Sequence, residues 1–105
     1  MASIEDLERK ARRVWRREGP RKALLVYERI CDELPESARH WALLGWALLC
    51  ANRPERAAAC LRTSIWLRMR EGDVRRAASL ARVLLSFVDT DRTAERALER
   101  CAAAA

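Results

Sequence analysis

Apolar residues recur at every third or fourth position along most of the chain, a spacing that predicts amphipathic helices rather than strands. The breaks between these stripes contain glycine, proline, asparagine or aspartate. Near the start, Ser3 and Asp6 have the spacing of a capping box. The first apolar stripe consists of Ile4, Leu7, Ala11 and Val14. The pattern predicts helices at about 3–17, 21–34, 37–50, 54–70 and 74–87, with a sixth after Asp91.

The residues at the breaks give a physical reason for each helix boundary. Gly19-Pro20 separates the first two helices, because proline is tolerated in a first helical turn. Pro35 stops the second helix, and Asn52 tolerates the left-handed conformation that a turn requires. No apolar run approaches the ~20 residues that a membrane span needs, so we expect no membrane association.

A motif that begins at Trp41 is echoed in weakened form 34 residues upstream. The full copy contains Trp41, Leu44, Gly45, Leu48, Ala57 and Leu61, and the echo keeps Ala23, Tyr27 and Pro35. Residue types and spacing resemble the tetratricopeptide repeat (TPR), a helix–turn–helix unit of about 34 residues. The resemblance implies an all-α fold: one domain built as a right-handed superhelical stack of about six antiparallel helices. The repeats would span roughly 3–36, 37–71 and 72–105, with the phase of the third left open.

The TPR resemblance also implies a binding surface. In that family the first helix of each repeat lines a concave groove that holds a peptide or a helix. The corresponding positions here are Arg12, Trp15, Arg16, Arg39, Ala42, Trp46, Leu49, Arg75, Arg82 and Leu85. An apolar floor with an arginine rim favours an acidic, partly apolar peptide or an amphipathic helix as the partner. Alternatively, Trp15 packs against helix two and Trp46 against its neighbours.

The resemblance therefore implies a non-enzymatic protein-interaction module, such as an adaptor or a small chaperone, for which a homo-oligomer is also possible. A clamp for chaperone C-terminal carboxylates is disfavoured, because Glu8 reverses the charge that such TPR clamps place at this position. Trp66, on the fourth helix, is expected to cover the joint between repeats two and three.

Charge supports a second interpretation. The net charge is +6, and all but Lys10 and Lys22 of the 21 basic residues are arginines, although a GC-rich genome also produces this bias. A dense basic run around the first helix suggests a nucleic-acid-binding helical domain as the alternative function. Glu5, Glu8 and Glu18 interrupt the run, and no aromatic stacking motif accompanies it, so protein binding is favoured.

Catalytic and metal-binding chemistry has little support in the sequence. The four cysteines occur singly, and the only histidine, His40, has no second ligand close in sequence, so we expect no metal site and no cofactor. Neither a nucleophile with its base nor a glycine-rich phosphate loop is recognisable. Unpaired cysteines are typical of a reduced protein, and we expect a cytoplasmic one.

Overall fold

The computed structural model describes residues 3–105, and within this range the chain forms six α-helices and no strand. The helices are α1 (Ile4–Glu18), α2 (Pro20–Glu33), α3 (Ala38–Cys50), α4 (Pro54–Arg70), α5 (Val74–Leu85) and α6 (Arg92–Ala104). The all-helical class and the number of helices are therefore confirmed.

Helix boundaries follow the local signals in the sequence. The Ser3 hydroxyl accepts a hydrogen bond from the Asp6 N–H at 3.1 Å, and the Asp6 carboxylate accepts one from the Ser3 N–H at 3.4 Å. Asn52 adopts the expected left-handed conformation, with φ of 61°. Pro20 and Pro54 begin α2 and α4, where a missing N–H costs nothing.

One boundary differs from the prediction. The fifth helix ends at Leu85 rather than at about Phe87. The Ser86 N–H still bonds to the carbonyls of Arg82 and Val83, but the chain then turns. Phe87 is half-buried and packs against both core clusters. The Phe87 and Val88 N–H groups both bond to the Leu84 carbonyl, so the last turn of α5 tightens before the chain leaves the helix.

Helices that follow each other in sequence pack together, and α4 also contacts α6. Within the α3/α4 pair, Gly45 lies against Leu61, while the Ser64 hydroxyl donates a hydrogen bond to the Ala38 carbonyl at 2.7 Å. From Ala38 to Gly45 the residue numbers rise along α3, while those of their partners on α4 fall from Ser64 to Leu61. These two helices are therefore antiparallel.

The core consists of two clusters that meet in the middle of the chain. The first lies among α1, α2, α3 and the start of α4, and the second among α4, α5 and α6. Leu49 packs against both. Many core positions are alanines, including Ala11, Ala23, Ala47 and Ala57, so helix axes can approach closely.

Candidate peptide-binding surface

The middle of the candidate surface is one face of α3. Arg39, Ala42, Trp46 and Leu49 follow each other at spacings of three or four residues and therefore share a face of the helix. Arg39 and Trp46 are exposed, whereas Ala42 and Leu49 are half-buried. Trp46 retains 54% of its surface. An indole in the middle helix is thus accessible to a partner, while Leu49 also serves the core.

The α1 part of the surface contains Trp15, which is half-buried. Its ring meets Tyr27 of α2 edge to face, with centroids 6.1 Å apart and planes at 82°. The sequence left this packing against helix two open. The rest of the Trp15 surface lines a cleft of about 300 Å³ with Arg12, Arg16 and Tyr27. Burial raises the pKa of Tyr27, although Arg12 and Arg39 oppose the shift, so its hydroxyl stays protonated and can donate.

A polar contact joins α1 to α3. The Glu8 Oε1 atom lies 3.0 Å from Nε2 of His40, and Glu8 Oε2 lies 3.5 Å from Nη1 of Arg39 and 3.9 Å from Nη1 of Arg12. Ser37 Oγ lies 2.6 Å from the other ring nitrogen of His40. Burial raises the pKa of Glu8, but the hydrogen bond from His40 and the charge on Arg39 outweigh it, so the pKa lies below its usual value. Glu8 is therefore ionised and neutralises part of the arginine rim.

Sequence reasoning missed this contact and treated His40 as isolated. Glu8 and His40 are 32 positions apart, close to the 34-residue spacing of the sequence motif, so that spacing was the available signal. Trp15 lies two helical turns beyond Glu8, as Trp46 does beyond Arg39. Short connections join α1 and α3 to α2, so both helices are antiparallel to α2 and run in the same direction. The two indoles therefore lie at similar heights along the helix axes.

The α5 part of the surface faces α3 across a cleft of about 310 Å³. Its lining residues are Arg39, Ala42, Leu43, Arg68, Arg76, Ser79 and Leu80. Arg75 lies beside this cleft, in an adjoining one that also contains Arg76 and Ser79. Sequence reasoning did not select Leu43, Arg76 or Leu80, although Leu43 lies four residues after Arg39 and three before Trp46.

The other two α5 positions selected from the sequence differ in how far they are exposed to a partner. Arg82 is exposed and, like Arg75 and Arg16, forms no ion pair with any residue in 3–105. Leu85 is half-buried and packs against the second core cluster. The structure thus brings Arg12, Trp15 and Arg16 together in one cleft and Arg39 with Ala42 in another, with Glu8 between them.

Other chemistry is sparse on this surface. Among the described residues, no three His, Cys, Asp or Glu side chains are grouped so that they could hold a metal ion. Burial raises the pKa of the Cys31 thiol to about 12, which keeps it protonated and unreactive. None of the helices in 3–105 has the length and apolar content needed to cross a bilayer.

Comparison with known proteins found neither a family model nor a curated protein that matches this chain. The candidate surface therefore has to be interpreted from its own geometry.

Proposed function

We propose that this chain is a non-enzymatic, TPR-like interaction module that binds an acidic, partly apolar peptide or an amphipathic helix. The binding surface is that of α1, α3 and α5, and the helices form a right-handed superhelical stack of three hairpins. The exposure of Trp46, an aromatic side chain on α3 that is left 54% accessible, carries the proposal. Large apolar side chains in such positions are the usual anchors of protein interfaces.

The energetics of the surface fit this partner. Covering the exposed part of an indole contributes on the order of 2 kcal/mol. Arg16, Arg75 and Arg82 have no carboxylate partner within the described chain, so each can form planar, bidentate hydrogen bonds with an incoming carboxylate. An acidic ligand is favoured because the surrounding guanidinium groups outnumber Glu8, the carboxylate that bridges α1 and α3.

The test is selection of short peptides from a displayed random library, followed by affinity measurement on variants. Trp46→Ala is expected to weaken binding by about tenfold or more, the loss typical of an anchor residue, with helicity and urea midpoint nearly unchanged. Leu25→Ala is the matched control, because Leu25 is a large apolar residue of α2 that is 76% exposed. Equal binding by wild type and Trp46→Ala would remove Trp46 from the site.

A second candidate function is nucleic-acid binding. Six exposed basic side chains around the α1–α2 connection form no ion pair within residues 3–105: Lys10, Arg13, Arg16, Arg17, Arg21 and Lys22. Nucleic-acid binding is tested by titrating the protein with an oligonucleotide of arbitrary sequence at two salt concentrations. Phosphate binding lowers log K by about 0.9 per neutralised phosphate for each unit of log salt. Absence of binding at low salt eliminates this candidate.

A further inference from the structure

A second exposed indole lies on α4, outside the α1/α3/α5 surface. Trp66 retains 55% of its surface, and the guanidinium carbon of Arg70 lies 5.3 Å from the centre of its ring. Arg68, which lines the cleft toward α3 and α5, is two residues away and therefore about 200° round the helix. Trp66 thus faces away from the proposed peptide-binding surface.

Trp66 forms one side of a cleft of about 390 Å³ between α4 and α6. The residues that line this α4/α6 cleft are Trp66, Met69, Arg70, Thr93, Arg96, Glu99 and Arg100. Trp66 and Met69 supply the apolar part, and the arginines supply the charge. Trp66 is predicted from the sequence to cover the joint between repeats two and three; it lies between α4 and α6 but leaves more than half of its surface free.

The charges in the α4/α6 cleft are unbalanced. Arg96 and Arg100 lie one turn apart on α6, and neither is ion-paired with another residue of the described chain. Arg70 reaches the Glu36 carboxylate only at 3.9 Å, and the Glu36 side chain is 79% exposed, so this pair is weak. Glu99 is the single acidic residue in the lining. Three guanidinium groups therefore surround an apolar floor with one carboxylate among them.

An ion pair and a helix cap join α4 to the start of α6, the two helices that form the cleft. The Arg62 guanidinium on α4 pairs with the carboxylate of Asp91, which also caps α6 by accepting the Ala94 N–H at 3.0 Å. Asp91 is buried. A cleft whose two helices are already locked together loses little conformational freedom when a ligand enters.

We propose that the α4/α6 cleft is a second binding site, specific for an acidic peptide segment of a partner protein. One large apolar side chain of that segment would lie on Trp66 and Met69, and flanking carboxylates would pair with Arg96 and Arg100. The unbalanced positive charge selects an acidic ligand. The thioether floor and the Glu99 carboxylate favour a peptide over a nucleic-acid strand, whose phosphates Glu99 repels.

The experiment selects displayed random peptides on the Trp46→Ala variant, so that the α1/α3/α5 surface is disabled and the two proposals can fail separately. We expect enrichment of peptides with a large apolar residue close to two or more carboxylates. Trp66→Ala and the double variant Arg96→Gln/Arg100→Gln should each weaken these peptides by about tenfold or more. Glu99→Gln should strengthen them about twofold to threefold, the size of an exposed charge interaction.

The matched control is Arg13→Gln/Arg17→Gln, which removes the same charge from exposed α1 positions that lie outside the α4/α6 cleft. Circular dichroism and a urea midpoint close to wild type establish that each variant is folded. The proposal is overturned if no peptides are enriched, if the enriched peptides lack carboxylates, or if the control weakens them as much as the cleft variant does. The proposal is also overturned, in favour of a nucleic-acid ligand, if oligothymidylate displaces the peptides and Trp66→Ala abolishes the binding of oligothymidylate.

Discussion

At the scale of single residues, Gly45 sets the distance between α3 and α4. A Cβ atom built at this position would lie 3.0 Å from both Cγ and Cδ2 of Leu61, and 3.5 Å from the carbonyl oxygen of Ala57. Leu61 is buried in the second core cluster and has little space to move. Trp46, the next residue, lies about 100° round the helix from Gly45 and is exposed.

Gly45→Val should therefore destabilise the protein. The branched side chain is forced against Leu61 and the α4 backbone, and such overpacking typically costs about 1–3 kcal/mol. Urea unfolding measures the loss, and because valine has a higher helix propensity than glycine, propensity cannot account for it. A smaller cost of Gly45→Val in a Leu61→Ala background than in wild type would identify the clash; equal stability of Gly45→Val and wild type contradicts the close packing.

At the scale of helices, Asp91 joins two elements through one carboxylate. It caps the N-terminus of α6 and pairs with Arg62 on α4. Burial raises the pKa of Asp91. The hydrogen bonds from Arg62 and the Ala94 N–H, together with the Arg62 charge, lower the pKa by more than burial raises it, so it lies below 3.8. The carboxylate is thus ionised in the folded protein at neutral pH.

Removal of this carboxylate should destabilise the protein in a pH-dependent way. Asp91→Ala loses both the cap and the ion pair and should cost about 2 kcal/mol, whereas Asp91→Asn retains a capping oxygen and should cost less. Because the folded-state pKa is depressed, the stabilisation is complete above the ordinary value of 3.8 and is lost as the pH falls through the folded-state pKa. Urea unfolding across this range measures the difference from wild type.

The control for this pH series is Asp89→Asn, the same chemical change at an exposed aspartate two residues away. A difference between wild type and Asp91→Asn that stayed constant through acid pH would mean that the charge of Asp91 contributes nothing.

At the scale of the whole molecule, six helices divide into two core clusters and leave two aromatic surfaces accessible. The surface around Trp46 belongs to α3, whereas the α4/α6 cleft opens on the other side of α4. The two surfaces are separated by the core, so each proposed binding site requires that the core is packed. The cysteines report on that packing, because Cys31 and Cys60 are buried while Cys50 is exposed.

Thiol labelling should follow this division. In the folded protein at neutral pH, an alkylating reagent should modify Cys50 first, whereas Cys31 and Cys60 should react only after unfolding. Burial both blocks the reagent and raises the pKa of these two thiols, that of Cys31 to about 12. Mass spectrometry of digests with and without urea locates the modified sites. Labelling of Cys31 as fast as Cys50 in the native state contradicts the described core.

The sequence predicted the helices well, but not how much of each side chain on the candidate surface stays exposed. Most helix boundaries agree within one or two residues, because caps such as Ser3 and prolines such as Pro54 act locally. The largest difference, two residues at the end of α5, falls where Phe87 packs against both core clusters. Glu8 and His40 were not paired in advance, since their contact requires α1 and α3 to be placed side by side.

By itself, the order of amino acids determined that this chain is helical, where most of the helices begin and end, and which faces are apolar, because hydrogen bonding within a helix and its capping involve neighbours in sequence. Only the tertiary structure decided how much of each tryptophan remains accessible. Trp15 is half-buried and packs against Tyr27, whereas Trp46 and Trp66 are left exposed. Periodicity assigns a side chain to a face of its helix, but the neighbouring helices determine how much of that face they cover.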